Sequence, residues 1–253
     1  ITSAAWHGSP GADREKVDPS RLEAAAIVAT AENLSLRIDE RFDGRGISEI
    51  GHHLQATARA TCDRLAELHR PRRALRYGIA ALILLGLAVA VLAALSVDLT
   101  ASEVRGFDDW IMVLEAGFQD VVFVGLAVVF VRGIETRLVR KDALVGLHEL
   151  RSVAHVIDMH QLTKDPEALL RPDQRTEHSP PRNLNRFELT RYLDYCSEML
   201  SITAKLAAMY AQESQDAVVL GAVREIESLS SDMSSEVWQK ALLLQIQQSS
   251  EGA

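Results

Sequence analysis

Two apolar runs constrain this chain more than any other feature. Residues 77–97 contain no charged side chain, and residues 110–131 are interrupted only by Glu115, Gln119 and Asp120. About 20 apolar residues at a rise of about 1.5 Å cross the ~30 Å hydrocarbon core of a bilayer. Each run is long enough to span as a helix, and a soluble core helix rarely continues so far without a polar face. The expected fold is therefore all-α. It is a two-span transmembrane helical hairpin with cytoplasmic amphipathic helices that form a bundle or coiled coil, assembled as a homo-oligomer.

The flanks of the runs predict an orientation. Arg70, Arg72, Arg73 and Arg76 precede the first, and Arg132, Arg137, Arg140 and Lys141 follow the second. The connection, residues 98–109, carries Asp98, Glu103, Asp108 and Asp109 against a lone Arg105. Lys and Arg beside a span stay on the cytoplasmic side. Both termini are expected in the cytoplasm, with the short acidic loop outside, in a membrane of the bacterial inner type. Tyr77 and Trp110 then fall at opposite interfaces, where amphipathic aromatics are favoured.

The remaining sequence reads as helices and linkers. Residues 1–17 are polar, contain Gly and Pro, lack the apolar core of a signal peptide, and read as a flexible tail. Residues 18–70 predict a cytoplasmic αα-hairpin. Asp18, Pro19 and Ser20 form a helix start, and Leu22, Ala25, Ala26, Ala29, Leu34, Ile38 and Phe42 follow at helical spacing. Asp43, Gly44, Arg45 and Gly46 break that helix, and Ile47, Ile50, Leu54, Thr61, Leu65 and Leu68 stripe the next. The transmembrane hairpin takes residues 71–138, and residues 139–162 extend its second helix into the cytoplasm. Residues 163–185, with Pro166, Pro172, Pro180 and Pro181, read as a linker. Residues 186–248 form a C-terminal helical hairpin. One stripe holds Phe187, Tyr192, Cys196, Met199, Thr203, Leu206 and Tyr210, the other Val219, Val223, Ile226, Leu229, Met233, Val237 and Leu244. Residues 249–253 are a tail.

Composition and motifs exclude several classes. A net charge of −8 argues against a nucleic-acid binder, which needs a basic face. Cys62 and Cys196 are the only cysteines, lack metal-ligand spacing, and read as ordinary semi-buried thiols. No Gly-rich nucleotide loop, no G-x-S-x-G elbow and no alternating strand pattern occurs, so neither an enzyme nor a cofactor is expected. His148, His155, Asp158 and His160 cluster in the helix after the second span. His155 and Asp158, three apart, are weak candidates for a metal, and partly buried imidazoles in a bundle are the commoner meaning of such a pattern. His52 and His53 point apart on a helix. Gly86, Ala90 and Ala94 repeat at four-residue spacing in the first span, which permits close helix approach.

The acidic residues of the second span carry the functional expectation. On a helix, Asp108, Ile111, Glu115, Gln119, Val122 and Leu126 share one face, and Asp109, Ala116, Asp120 and Ala127 another. A carboxylate facing lipid costs about 2.5–3.5 kcal/mol, and neither span holds a Lys or Arg to pair with it. Two helices alone cannot enclose a polar interior, so self-assembly follows. Asp108, Asp109, Glu115 and Gln119 are expected to line an ion pathway, with cations as the conducted species. Asp120 is expected at a subunit contact or proton site, or as interhelical glue. The alternative is a membrane-anchored helical scaffold or signalling protein that binds a cytoplasmic protein and transports nothing.

The layout is similar to that of the mitochondrial calcium uniporter family, with cytoplasm-side helices, a two-span hairpin and acidic residues at the start of the second span. That family's motif reads Trp-Asp, Ile-Met, Glu-Pro. Here the order is Asp109, Trp110, Ile111, Met112, with Glu115 two residues late and no Pro. The resemblance is confined to the hairpin and assigns no residue a role. A carboxyl deep in a hairpin also looks like the rotor-ring subunit of rotary ATPases, but that subunit has little soluble mass and turns its loop to the cytoplasm.

Overall fold

The computed structural model describes residues 22–68, 73–100, 107–164, 166, 177–178 and 184–251. Among these residues all regular structure is α-helical, in the order α1 (Ala24–Phe42), α2 (Gly46–Leu68), α3 (Arg73–Thr100), α4 (Phe107–Leu162), α5 (Arg186–Glu213) and α6 (Ala217–Glu251).

α1 begins later than its sequence suggests. Asp18, Pro19 and Ser20 lie outside the described residues, Leu22 precedes the helix, and Glu23 stands at the cap in extended backbone without a capping hydrogen bond. The helix ends at the expected break. Gly44 takes φ +69°, and the Arg45 N–H donates to the Phe42 carbonyl at 3.0 Å. That left-handed conformation is one a side chain resists and Gly accepts. α2 then returns along α1. The two approach closely at Gly51, where a Cβ would lie 3.6 Å from Ser35 Cα. Their facing stripes, Ile27, Ala31, Leu34, Ile38 and Phe42 against Ile47, Ile50, Leu54, Ala58 and Leu65, are buried.

α4 is a single helix of 56 residues, about 84 Å long at 1.5 Å per residue. No boundary in the backbone marks the division expected between residues 138 and 139. The side chains change instead. From Ala143 onward α4 buries Ala143, Leu147, Leu150, Val153, Ala154 and Ile157, while nearer its N-terminus large apolar side chains stay exposed. α3 packs along that N-terminal half. The approach is close, since a Cβ on Gly86 would lie 2.5 Å from Val124 Cγ2.

α5 is the central helix of the bundle and packs against α1, α2, α4 and α6. Its start is secured by a capping box. The Glu188 N–H donates to Asn185 Oδ1 and the Asn185 N–H to Glu188 Oε2, both at 2.9 Å. α6 is preceded by Asp216, whose Oδ1 accepts from the N–H groups of Val218 and Val219 at 2.9 and 3.3 Å. α6 continues through Glu251, beyond the expected boundary at residue 248. Most of the expected seam residues of α5 and α6 are buried, but Phe187 is 59% exposed. Of the linker, Thr163, Lys164, Pro166, Glu177, His178, Leu184 and Asn185 are described; its other residues lie outside the description.

Candidate functional site

The α3–α4 hairpin presents an apolar surface that no other described residue covers. On α3, Leu84, Leu85, Leu87 and Leu92 are exposed; on α4, Phe118, Val121, Phe123, Leu126, Val129 and Phe130 are, Phe118 reaching 72%. Soluble monomers rarely expose contiguous apolar patches beyond a few hundred Å². Among the described residues one helix, α4 from Gly117, is long and apolar enough to cross a membrane, and Tyr77–Val89 of α3 forms a shorter apolar helix beside it. Arg132 interrupts the band and its side chain is exposed, as is that of Arg137 further along the helix.

Glu115 and Gln119 project from this band and are exposed. Val124 marks the side of α4 that meets α3 through Gly86. Glu115 lies nine residues before Val124, about 180° around the helix, and Gln119 lies about 140° around. Both are therefore directed away from α3. The backbone positions of Asp108, Asp109 and Asp120 belong to α4, but their side chains, and those of Arg73, Arg76 and Trp110, lie outside the described ones. Arg70, Arg72 and Arg105 also lie outside the described residues. No family model, curated protein or solved structure matches the chain.

The histidine cluster does not assemble a ligand set, and no group of three or more His, Cys, Asp or Glu poised for a metal occurs among the described residues. His148 and His155 are exposed. Asp158 is occupied within the bundle. It accepts from Gln161 Nε2 at 2.7 Å, and Gln161 Oε1 accepts from Lys240 Nζ at 2.8 Å. His160 is held by the Val156 carbonyl at 3.0 Å and sits against Gly46. Cys196 is fully buried, which pushes its thiol up to about 12, and Cys62 is raised by partial burial and then by Asp63.

Three polar clasps between helices escaped the sequence reading. His52 bridges α1 and α2, with Ser35 Oγ 3.2 Å from its Nδ1 and Asp39 Oδ2 3.1 Å from its Nε2, while Ser48 Oγ donates to Asp39 Oδ1. The signal was a pair of four-residue spacings, Ser35 with Asp39 and Ser48 with His52, on antiparallel helices. Ser35 is buried, so this array fastens helices and offers no accessible nucleophile. Arg64 joins α2 to α4 and α5 through Glu149 at 3.2 Å and the Tyr210 hydroxyl at 3.4 Å. Arg140 fastens α4 to the α5–α6 turn, its Nη2 lying 2.6 Å from Asp216 Oδ2.

Proposed function

We propose that this chain is a homo-oligomeric, two-span membrane protein whose second span lines a cation pathway between copies. The observation that carries this reading is the direction of Glu115 and Gln119, away from α3 and exposed within an apolar band. A carboxylate placed there in hydrocarbon is costly, so it needs water or a neighbouring copy. Repeated around a symmetry axis, Glu115 forms an acidic ring that lowers the energy of an entering cation and raises that of an anion. Asp108 and Asp109 extend the ring toward the mouth, and Asp120 belongs to a contact between helices. The chain's own bundle then lies on the cytoplasmic side with both termini, following the Arg residues at the base of the hairpin. An impermeant thiol reagent should label a cysteine introduced at residues 101–106 from outside intact cells, and should leave one at Ser228 unlabelled.

Purified protein in liposomes should carry a cation flux that falls at least tenfold in Glu115→Gln and Glu115→Ala. Vesicles with wild-type protein that show no flux above empty ones, across pH and voltage, would overturn the pathway. The scaffold reading would then stand, supported by the extent of the packed bundle, which takes in α1, α2, the C-terminal half of α4, α5 and α6.

A further inference from the structure

The polar pairs that join α4 to α6 also fix how the two helices run. Arg140 meets Asp216, Arg151 meets Glu225, and Gln161 Oε1 accepts from Lys240 Nζ at 2.8 Å. The residue numbers rise together along both helices, so α4 and α6 are parallel and lead away from the hairpin. Arg151 stands about ten turns after Glu115 and Leu162 about thirteen, at 3.6 residues per turn. Glu115, Arg151 and Leu162 therefore lie on one face of α4, within about 20° of one another. The seam between α4 and α6 continues, along the bundle, the face that Glu115 occupies in the hairpin.

That face changes character at its far end. From Val237 onward α6 carries apolar side chains on every side. Val237, Ala241 and Leu244 are buried in the bundle, while Trp238, Leu242, Leu243 and Ile246 point out of it, Ile246 being 59% exposed. Leu162, the last residue of α4, is 60% exposed beside them. A surface helix keeps a polar face, and a helix that is apolar all round is covered all round. Lys240 is the one charged residue between Val237 and Ser250, and Gln161 holds it. Charge therefore selects no ionic occupant for this tip. Nor does a bilayer around the hairpin reach it, since Leu162 stands about 45 Å along α4 from Arg132.

We propose that a second copy of this chain covers the tip, its α6 lying parallel to the first, with Leu242, Leu243 and Ile246 of one copy against the same residues of the next. The inference rests on the assembly of copies through the Glu115 face and names its contact in the soluble bundle. Copies in one membrane share one orientation, so symmetry about an axis along the membrane normal makes their α6 helices parallel. An axis that faces Glu115 also faces the seam between α4 and α6, and it brings the apolar tips together. Leu242, Leu243 and Ile246 fall at the three- and four-residue spacings of a helix-to-helix seam.

The test oxidises the full chain in mild detergent, in Cys62→Ser, Cys196→Ala protein, and reads a denaturing gel. Leu243→Cys should form disulfide-linked dimers. Arg59→Cys, from the exposed Arg59–Glu32 pair between α1 and α2, should stay monomeric. Leu243→Asp places a charge in the contact and should raise the dissociation constant for self-association about tenfold, read by light scattering on dilution. Monomeric Leu243→Cys, equal linking of Arg59→Cys, an unchanged dissociation constant in Leu243→Asp, or linking of Leu243→Cys to a different protein in cells would each overturn the inference. Gln119→Cys separates it from the reading it rests on. Dimers through Gln119 but not through Leu243 keep the hairpin assembly and remove the contact at the tip. Dimers through Leu243 but not through Gln119 keep the contact at the tip and remove the assembly through Glu115.

Discussion

Gly146 sits where three helices are drawn together, and its lack of a side chain decides how closely. A Cβ there would collide with the Tyr210 hydroxyl and lie 2.5 Å from Arg64 Nη1. Gly146→Ala should therefore destabilise the protein by about 1–3 kcal/mol, the usual cost of overpacking. Gly221 on α6 faces open space, so Gly221→Ala should stabilise by about 0.5–1 kcal/mol through helix propensity alone. Thermal melts followed by circular dichroism would measure both, and equal shifts would refute the close approach. Thr61 is fully buried and its hydroxyl has no hydrogen-bond partner among the described residues. Thr61→Val keeps the shape, removes that orphan group, and should gain about 1 kcal/mol by the same measurement. At Asp216, burial acts to raise the carboxyl's pKa. The hydrogen bond from Arg140 and those from the Val218 and Val219 N–H groups outweigh it and hold the value below the usual carboxylate range. A depressed folded value means stabilisation that is complete at neutral pH and is lost as pH falls through that value. Asp216→Asn should lower the melting temperature at pH 7, and the difference from wild type should vanish in acid.

Among the elements, α4 sets the geometry by being continuous through three environments: the acidic start, the exposed apolar band and the packed bundle. Spin labels at Phe118 and His155, both exposed, should report a separation of about 55 Å in Cys62→Ser, Cys196→Ala protein diluted with unlabelled copies. A distance shorter by a full helical turn or more would place a break near Arg132. Much of this element was legible beforehand, because a long apolar run with only Glu115, Gln119 and Asp120 in it and a later three-four spacing each announce a helix. The stripes of α1, α2, α5 and α6 were legible for the same reason. Phe187 was not, since periodicity places it on the seam and cannot foresee that Arg41 and Arg191 clasp its ring at the surface. Nor were the clasps of His52 and Arg64, which depend on which residues of separate helices fall opposite one another. For the acidic face, sequence identified the carboxylates as costly in lipid and placed Gln119 on the same face as Glu115. Their direction relative to α3 required the contact between Gly86 and Val124.

For the whole molecule, the proposed assembly of several copies rests on the exposed acidic face. A single hairpin partly covers one side of each helix and leaves Glu115, Gln119, Val122 and Leu126 of α4 exposed. In the proposed membrane setting lipid satisfies the apolar members of that face but not Glu115. Packing the face against its equivalent in a neighbouring copy removes the carboxylate from hydrocarbon and creates the shared polar slot at once. Light scattering in mild detergent should therefore give a protein mass several-fold above the 27.8 kDa chain, after subtraction of detergent. Position-specific oxidation sharpens the expectation in protein lacking Cys62 and Cys196. Gln119→Cys should form disulfide-linked dimers, because the proposed assembly turns its side chain toward a second copy. Val124→Cys should stay monomeric on a denaturing gel, because its own α3 covers it at Gly86. The reverse pattern would put the subunit contact on the α3 side of α4, and a clean monomer by scattering would remove the shared slot on which cation conduction depends.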